Sequence, residues 1–302
     1  MAEVRSVTAR GAGHDTPRAA ASPLAAITVW LAATVMASGL LAWAVSVGWP
    51  AAETVLPPLI AAALLGGAVC GRRWGLAPVL AVLAASTAGM WAITVALTAF
   101  DAGISGWPPA VQMLVVNGAK LVPLALVVVA LRGSRLGAAD ADLRVGSWRA
   151  GSGLRVGNRP IDWRWLGGAT AVVLVGGIAA SGAGEFSSTG LWAAVVWLPV
   201  YGCAAAVNSA VEEFIFRHAI NATTRTLLTT ATRVALTSTY FGLAHIHGTP
   251  SGVPGILLTA ALGLVLALAI EHTRGFCWNW TLHFLADVAI FATLIATTTS
   301  TT

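Results

Sequence analysis

Apolar runs of roughly 17 to 25 residues recur along this 302-residue chain, the length that a hydrocarbon core of ~30 Å asks of a helix. In lipid every backbone N–H and C=O must be satisfied within its own segment or a closed barrel, so runs of this length become transmembrane helices. Composition agrees: 57% of residues are hydrophobic and 10% charged, against roughly 25% charged in soluble domains. A soluble enzyme, a disordered chain, a disulfide scaffold and a nucleic-acid-binding domain are excluded as the main body. The three cysteines, Cys70, Cys203 and Cys277, are far apart and lie in or beside apolar segments. They read as small apolar residues.

Nine candidate spans follow: Leu24 to Gly48, Thr54 to Gly71, Leu76 to Phe100, Ala110 to Leu131, Trp165 to Gly182, Leu191 to Phe216, Val234 to Ile246, Gly255 to Ile270 and Trp278 to Ala296. The first exceeds a signal-peptide core of ~7 to 15 residues and reads as an uncleaved anchor. Loop charge tests the count, because cytoplasmic loops carry the excess of arginine and lysine. Arg72 and Arg73, the 132–164 segment with seven arginines and three aspartates, Arg225 with Arg233, and Arg274 fall on one side, while Glu53, Asp101 and Glu185 mark the other. The net charge of +5 thus reports topology and not a nucleic-acid partner.

The expected fold is therefore all-α, a polytopic transmembrane bundle of eight or nine spans with a cytoplasmic N-terminus. The weak spans are the second, with Pro57 and Pro58, and the seventh, which Gly248 and Pro250 soon interrupt. Four parts are expected: a polar tail over 1–23, N-terminal helices over 24–131, a basic cytoplasmic loop over 132–164 without apolar period, and a functional core over 165–302. The Thr-rich end after Ile295 reads as frayed. The 13 tryptophans collect near span ends, as at Trp49, Trp163, Trp165, Trp278 and Trp280, and suggest an interfacial belt.

An ionisable side chain inside a span costs at least ~2.5 kcal/mol at the helix centre, so each is a functional hypothesis. The N-terminal half offers Lys120, the chain's one lysine, whereas the C-terminal half offers Glu212, Glu213, Arg217, His218, His245, His247, His283 and Asp287. Chemistry is thereby placed in the last third. Lys120 reads as a snorkelling cation or a partner of a helix-end carbonyl. His218 and His247 lie off the faces of the neighbouring motif residues, His272 reads as a loop residue, and none of the three is assigned chemistry.

In Val211-Glu212-Glu213-Phe214-Ile215-Phe216-Arg217, residues four apart share a helix face, so Glu213 pairs with Arg217 and Glu212 points elsewhere. A carboxylate left unpaired by its own helix suits a general base; a second structural carboxylate bonded to a neighbouring helix stays open. Phe241 with His245 and His283 with Asp287 are also four apart. The midpoint between 212 and 245 falls at Leu228 and Thr229, in the polar connection between Arg217 and Arg233. A hairpin folded there brings Glu212 and His245 to equal height, beneath the cytoplasmic surface.

Glu-Glu-x-x-x-Arg at 212–217, Phe-x-x-x-His at 241–245 and His-x-x-x-Asp at 283–287, in this order on successive helices, resemble the three signature motifs of the CAAX protease and bacteriocin-processing (CPBP, or Abi) family, which includes the Ras-converting CAAX endopeptidase. The resemblance covers roughly residues 190 to 297. It implies an intramembrane endopeptidase in which Glu212 activates water with help from His245, His283 and the residue at 287 stabilise the oxyanion, and Glu213, Arg217 and Phe241 give structural support. Asparagine is common at the last position. An ionised Asp287 cannot donate, so it would orient His283, be protonated or bind a metal.

The resemblance leaves the metal open: Glu212, His245 and His283 satisfy a zinc ligand list, and a metal-free glutamate and histidine pair performs the same hydrolysis. Two other classes stay in view. One is a proton or ion relay in a transporter, against which stands the lack of a corresponding polar cluster in the first half. The other is a non-catalytic membrane peptide-binding, immunity or assembly factor on the same fold. Expected partners are a peptide or protein substrate at the membrane and the lipid bilayer, with no nucleic acid. The expected location is a bacterial inner membrane, crossed many times.

Overall fold

In the computed structural model, residues 23–49 and 51–298 are described; the polar tail at 1–22 and residues 299–302 lie outside them. The chain opens with α1 (Pro23–Trp30), which passes through a π-helical stretch (Leu31–Gly39) into α2 (Leu40–Ser46). Then follow α3 (Ala52–Cys70), α4 (Ala77–Ile104), α5 (Pro109–Ala119) and α6 (Leu121–Gly133). After a small antiparallel hairpin of β1 (Gly151–Val156) and β2 (Arg159–Asp162), the core comprises α7 (Trp163–Gly182), α8 (Ser188–Glu213), a π-helical stretch (Phe214–Ala219), α9 (Ile220–Thr224), α10 (Thr230–Ala244), α11 (Gly252–Thr273) and α12 (Cys277–Thr298).

The all-α polytopic reading holds, with the hairpin as a minor addition inside the segment read as an unstructured loop. Seven helical stretches among the described residues are long and apolar enough to cross a bilayer, and Pro23–Gly39 is a shorter apolar one. The expected span at Val234 to Ile246 is not among them: α10 has 15 residues, about 22 Å at 1.5 Å per residue, and it carries threonines and Arg233. Pro57 and Pro58 lie inside α3 without breaking it. The last helix runs on to Thr298, past the expected frayed end.

Local chemistry sets several helix starts. Asp162 accepts from the Arg164 N–H at 3.0 Å to begin α7, Ser187 accepts from Gly190 N–H to begin α8, and Thr229 accepts from Thr232 N–H to begin α10. Each satisfies an N–H that the helix leaves orphaned. The 109–133 run is a single apolar stretch that breaks at Lys120, between α5 and α6. Pro123 explains the break, because its ring clashes with the carbonyl four residues back, at Ala119. Lys120 is thus delivered at a bend, with its own N–H turned to Asn117 O.

Loop contacts define two ends. Asp142 pairs with Arg225, Arg144 donates to the Arg274 carbonyl at 2.7 Å, and Ser147 N–H bonds to Thr273 O. With Gly75 lying against Leu227, the basic segments of residues 72–75, 132–164, 225–233 and 274 gather at one end. The successive helices alternate between it and the opposite end, where Glu53 and His247 approach each other at 3.8 Å. His272 is not a loop residue; it sits in the last turn of α11 and faces the Trp163 indole N–H at 3.2 Å. Trp163 and Trp278 are buried at 1% and 9% exposure and form an aromatic knot with Trp148, so the interfacial-belt reading fails for them. Trp49 and Trp165 are exposed as it requires.

In the body, α12 lies along α8 and α7, α10 along α11, and α4 along both α3 and α6. The α4–α6 contact depends on Gly89, where a β-carbon would stand 2.5 Å from Pro123 Cα. Adding it forces the helices apart at a cost of ~1–3 kcal/mol. Gly89→Ala is therefore expected to lower the midpoint of thermal unfolding in detergent, while Gly103→Ala, whose β-carbon meets nothing within 4 Å, leaves it unchanged.

Candidate active site

The residues singled out on three remote motifs meet at one place. Glu212 Oε2 lies 3.5 Å from His245 Nε2 and 3.6 Å from His283 Nε2, and His283 Nε2 lies 3.6 Å from Asp287 Oδ1. Glu212 belongs to the last turn of α8, His245 caps the end of α10, and His283 and Asp287 share one face of α12. All but His245, which is partly exposed, are buried.

Hydrogen bonds fix the rings. The Phe241 carbonyl can only accept, so at 2.7 Å it assigns the proton of His245 to Nδ1. In the neutral ring, His245 Nε2 then presents a lone pair toward Glu212 Oε2 at 3.5 Å, a buried oxygen without a hydrogen-bond partner. Phe241 also stacks edge-on against both His245 and His283, at 4.4 and 5.5 Å between ring centres, and lies beneath the Arg217 guanidinium at 4.1 Å.

Glu213 acts as the structural hub. Fully buried, it pairs with Arg217, accepts from Asn279 Nδ2 at 2.8 Å and accepts from His283 Nδ1 at 2.7 Å. The π-helical stretch that begins at Phe214 turns both Arg217 and His218 inward, each at 0% exposure. His218 bonds through Nδ1 to the Ala141 carbonyl at 2.6 Å and lies 3.3 Å from Asn279. It is a pin between the 132–164 segment and the core. Arg217 illustrates the cost of this burial. Removing one partner of a buried pair costs ~3–5 kcal/mol, so Arg217→Ala is expected to lose most of its folded yield and thermal stability.

Two features escaped sequence reasoning. Lys120 neither snorkels nor pairs with a helix-end backbone carbonyl; its ammonium donates to Glu212 Oε1 at 2.6 Å and to Asn208 Oδ1. Glu212 is accordingly paired from another helix through one oxygen while the other faces the histidines. Asn208, one turn before Glu212, donates its amide to Asp287 Oδ2 at 2.9 Å. The i, i+4 spacing of Asn208 and Glu212 was the available signal.

A cavity of about 400 Å³ adjoins the site, walled by Lys120, Glu212 and His245 and by Ser38, Ser86, Thr87, Trp91, Phe216 and Tyr240, with His283 and Asp287 behind Glu212 and outside its lining. It extends to Glu53, His247 and Gly248, away from the basic loops. The hairpin places Glu212 and His245 level, as its spacing required, but deeper than expected: Glu212 is 12 residues before the end of α9, about 18 Å of helix. A larger apolar groove of about 720 Å³ between α6, α8 and α12 holds none of these groups.

Glutamate and histidine are donor types that zinc accepts. Among the described residues, however, no three His, Cys, Asp or Glu side chains are arranged to hold a metal ion, and a dication on Glu212 would sit beside the Lys120 ammonium.

The family described as Rce1-like, type II CAAX prenyl endopeptidase, has a model that matches residues 191–289. No curated protein and no solved structure matches the chain. The Rce1-like segment holds Asn208, Glu212, Glu213, Arg217, Phe241, His245, His283 and Asp287, so it carries every motif residue. On helices long enough to cross a bilayer, this match supports an intramembrane endopeptidase in general. Lys120, Ser38, Thr87 and Trp91 come from helices outside it.

Proposed function

We propose that this protein hydrolyses peptide bonds of membrane-associated substrates with Glu212 as the base, without a metal. The supporting observation is that Glu212 Oε2 and His245 Nε2 face each other 3.5 Å apart, the first without a hydrogen-bond partner, so that with His245 neutral both are acceptors. A water molecule satisfies both, donating one O–H to each. Glu212 takes the first proton as the oxygen attacks the scissile carbonyl, and the protonated carboxyl then delivers it to the departing amine. Each bond broken at water is balanced by the new acid and amine ends.

The developing oxyanion needs a donor. His283 gives its Nδ1–H to Glu213, and a proton on Nε2 makes it a donor on the side of Glu212 and Asp287, each 3.6 Å away. With that proton, three carboxylates (Glu212, Glu213, Asp287) stand against three cations (Lys120, Arg217, His283). Asp287, already accepting from Asn208, orients His283 in this scheme and takes no part as an oxyanion donor. The substrate enters past Glu53 and His247, the cavity's mouth.

Purified protein in detergent, given a library of quenched fluorogenic peptides, tests the reading. The parent is expected to cleave, with Glu212→Gln and His245→Ala folded and at least ~100-fold slower, the scale of losing a general base. Cleavage that survives in Glu212→Gln would sink it. Peptide binding without cleavage by any form would favour the binding-factor alternative.

Chelation distinguishes the mechanisms. With Lys120 occupying the position beside Glu212, 1,10-phenanthroline and prolonged dialysis against EDTA are expected to leave the rate unchanged. Loss of activity that zinc restores would establish the metalloprotease alternative.

A further inference from the structure

Lys120 is outside the Rce1-like segment, yet its ammonium touches the proposed base. It makes two hydrogen bonds of the three its charge permits, one to Glu212 Oε1 and one to Asn208 Oδ1. Asn208 spends its amide on Asp287 Oδ2. A continuous polar chain therefore runs from the bend between α5 and α6 to both ends of the reacting group, Glu212 on α8 and Asp287 on α12. The side chain also lines the cavity that holds Glu212 and His245.

The geometry has a direct consequence for the carboxylate. A glutamate side chain has three rotatable bonds and a symmetric head, and Glu212 makes no ion pair with its own helix. Lys120 holds Oε1, which leaves Oε2 as the oxygen turned to His245 and His283. Without that anchor the head can rotate toward either histidine, and a misplacement of about 1 Å costs on the order of 100-fold in rate.

We propose that Lys120 is a positioning residue of the peptidase reaction: it fixes Glu212 directly and Asp287 through Asn208, making the N-terminal helix pair a working part of the active site. The inference rests on the protease reading above. It also gives the bend at Pro123 and the close approach at Gly89 a role, since both set where the ammonium stands.

Chemical rescue tests this. Lys120→Ala leaves space beside the cavity, and its kcat is expected to fall at least ~100-fold with KM within about threefold of the parent, the signature of an interaction needed in the reaction rather than in binding. Added propylammonium should restore kcat by at least ~10-fold, propanol should not, and Lys120→Arg should retain more activity than Lys120→Met. Activity of Lys120→Ala within about threefold of the parent, or a loss that appears only in KM, overturns the proposal. So does a folded Lys120→Ala whose loss the amine does not repair. Should Lys120→Ala not purify folded, the Arg and Met comparison decides, equal rates overturning it. Parent and Glu212→Gln run alongside: a parent that cleaves nothing brings down the protease reading itself, whereas an active parent with an indifferent Lys120 removes only this inference.

Discussion

A charge that leaves water for the middle of a membrane must find its counter-charge there, and this requirement organises the protein. Three carboxylates and two cations lie within a few hydrogen bonds of one another on α8, the π-helical stretch after it, α12 and the bend after α5. All are buried except Lys120, which is partly exposed. Each partner comes from a different helix or from a different turn, so the helices cannot slide past one another without stranding a charge at a cost of several kcal/mol. Fold and site are in this sense the same network.

The network separates two roles that the Glu-Glu pair alone leaves merged. Glu213 spends both oxygens on Arg217, Asn279 and His283 and has nothing left to offer a substrate. Glu212 spends one oxygen on Lys120 and keeps the other free of hydrogen bonds. Adjacent residues differ by about 100° on a helix, and that rotation is enough to aim one carboxylate at the scaffold and its neighbour at the cavity. The π-helical stretch directly after the pair lets Arg217 and His218 both turn inward, which supplies the scaffold carboxylate with its cation and pins the basic segment through Ala141.

Much of this was legible in the sequence. Helical runs, the Glu213–Arg217 pair and the equal height of Glu212 and His245 all follow from period and spacing, which are local properties. What escaped was non-local or finely balanced. Lys120 lies 92 residues before Glu212, and no periodicity connects them; only the rarity of a lysine inside an apolar run pointed to it. Trp163 and Trp278 sit near helix ends, where a membrane interface and an inter-helix core want the same amphipathic ring, and packing against Trp148 placed them inside. The length of α10 likewise turned on where a polar turn stops and a helix begins.

The direction of the cavity follows from the same deep placement. Glu212 and His245 stand about a dozen helical residues or more from the end where the basic segments gather, and the lining passes to Glu53 and His247 at the other end. Near the basic end the space between the helices is filled instead, by Asp142 on Arg225, Arg233 on Glu271 and His218 on Ala141. The loops that carry positive charge are thus also the seal beneath the site. A peptide reaching Glu212 through the cavity meets an apolar wall that includes Leu41, Met90, Trp91 and Phe216, and three of these four belong to helices outside the Rce1-like segment. Catalytic groups from one half and substrate-facing surface from the other would let the N-terminal helices set which peptide is admitted while the motif residues set what is done to it.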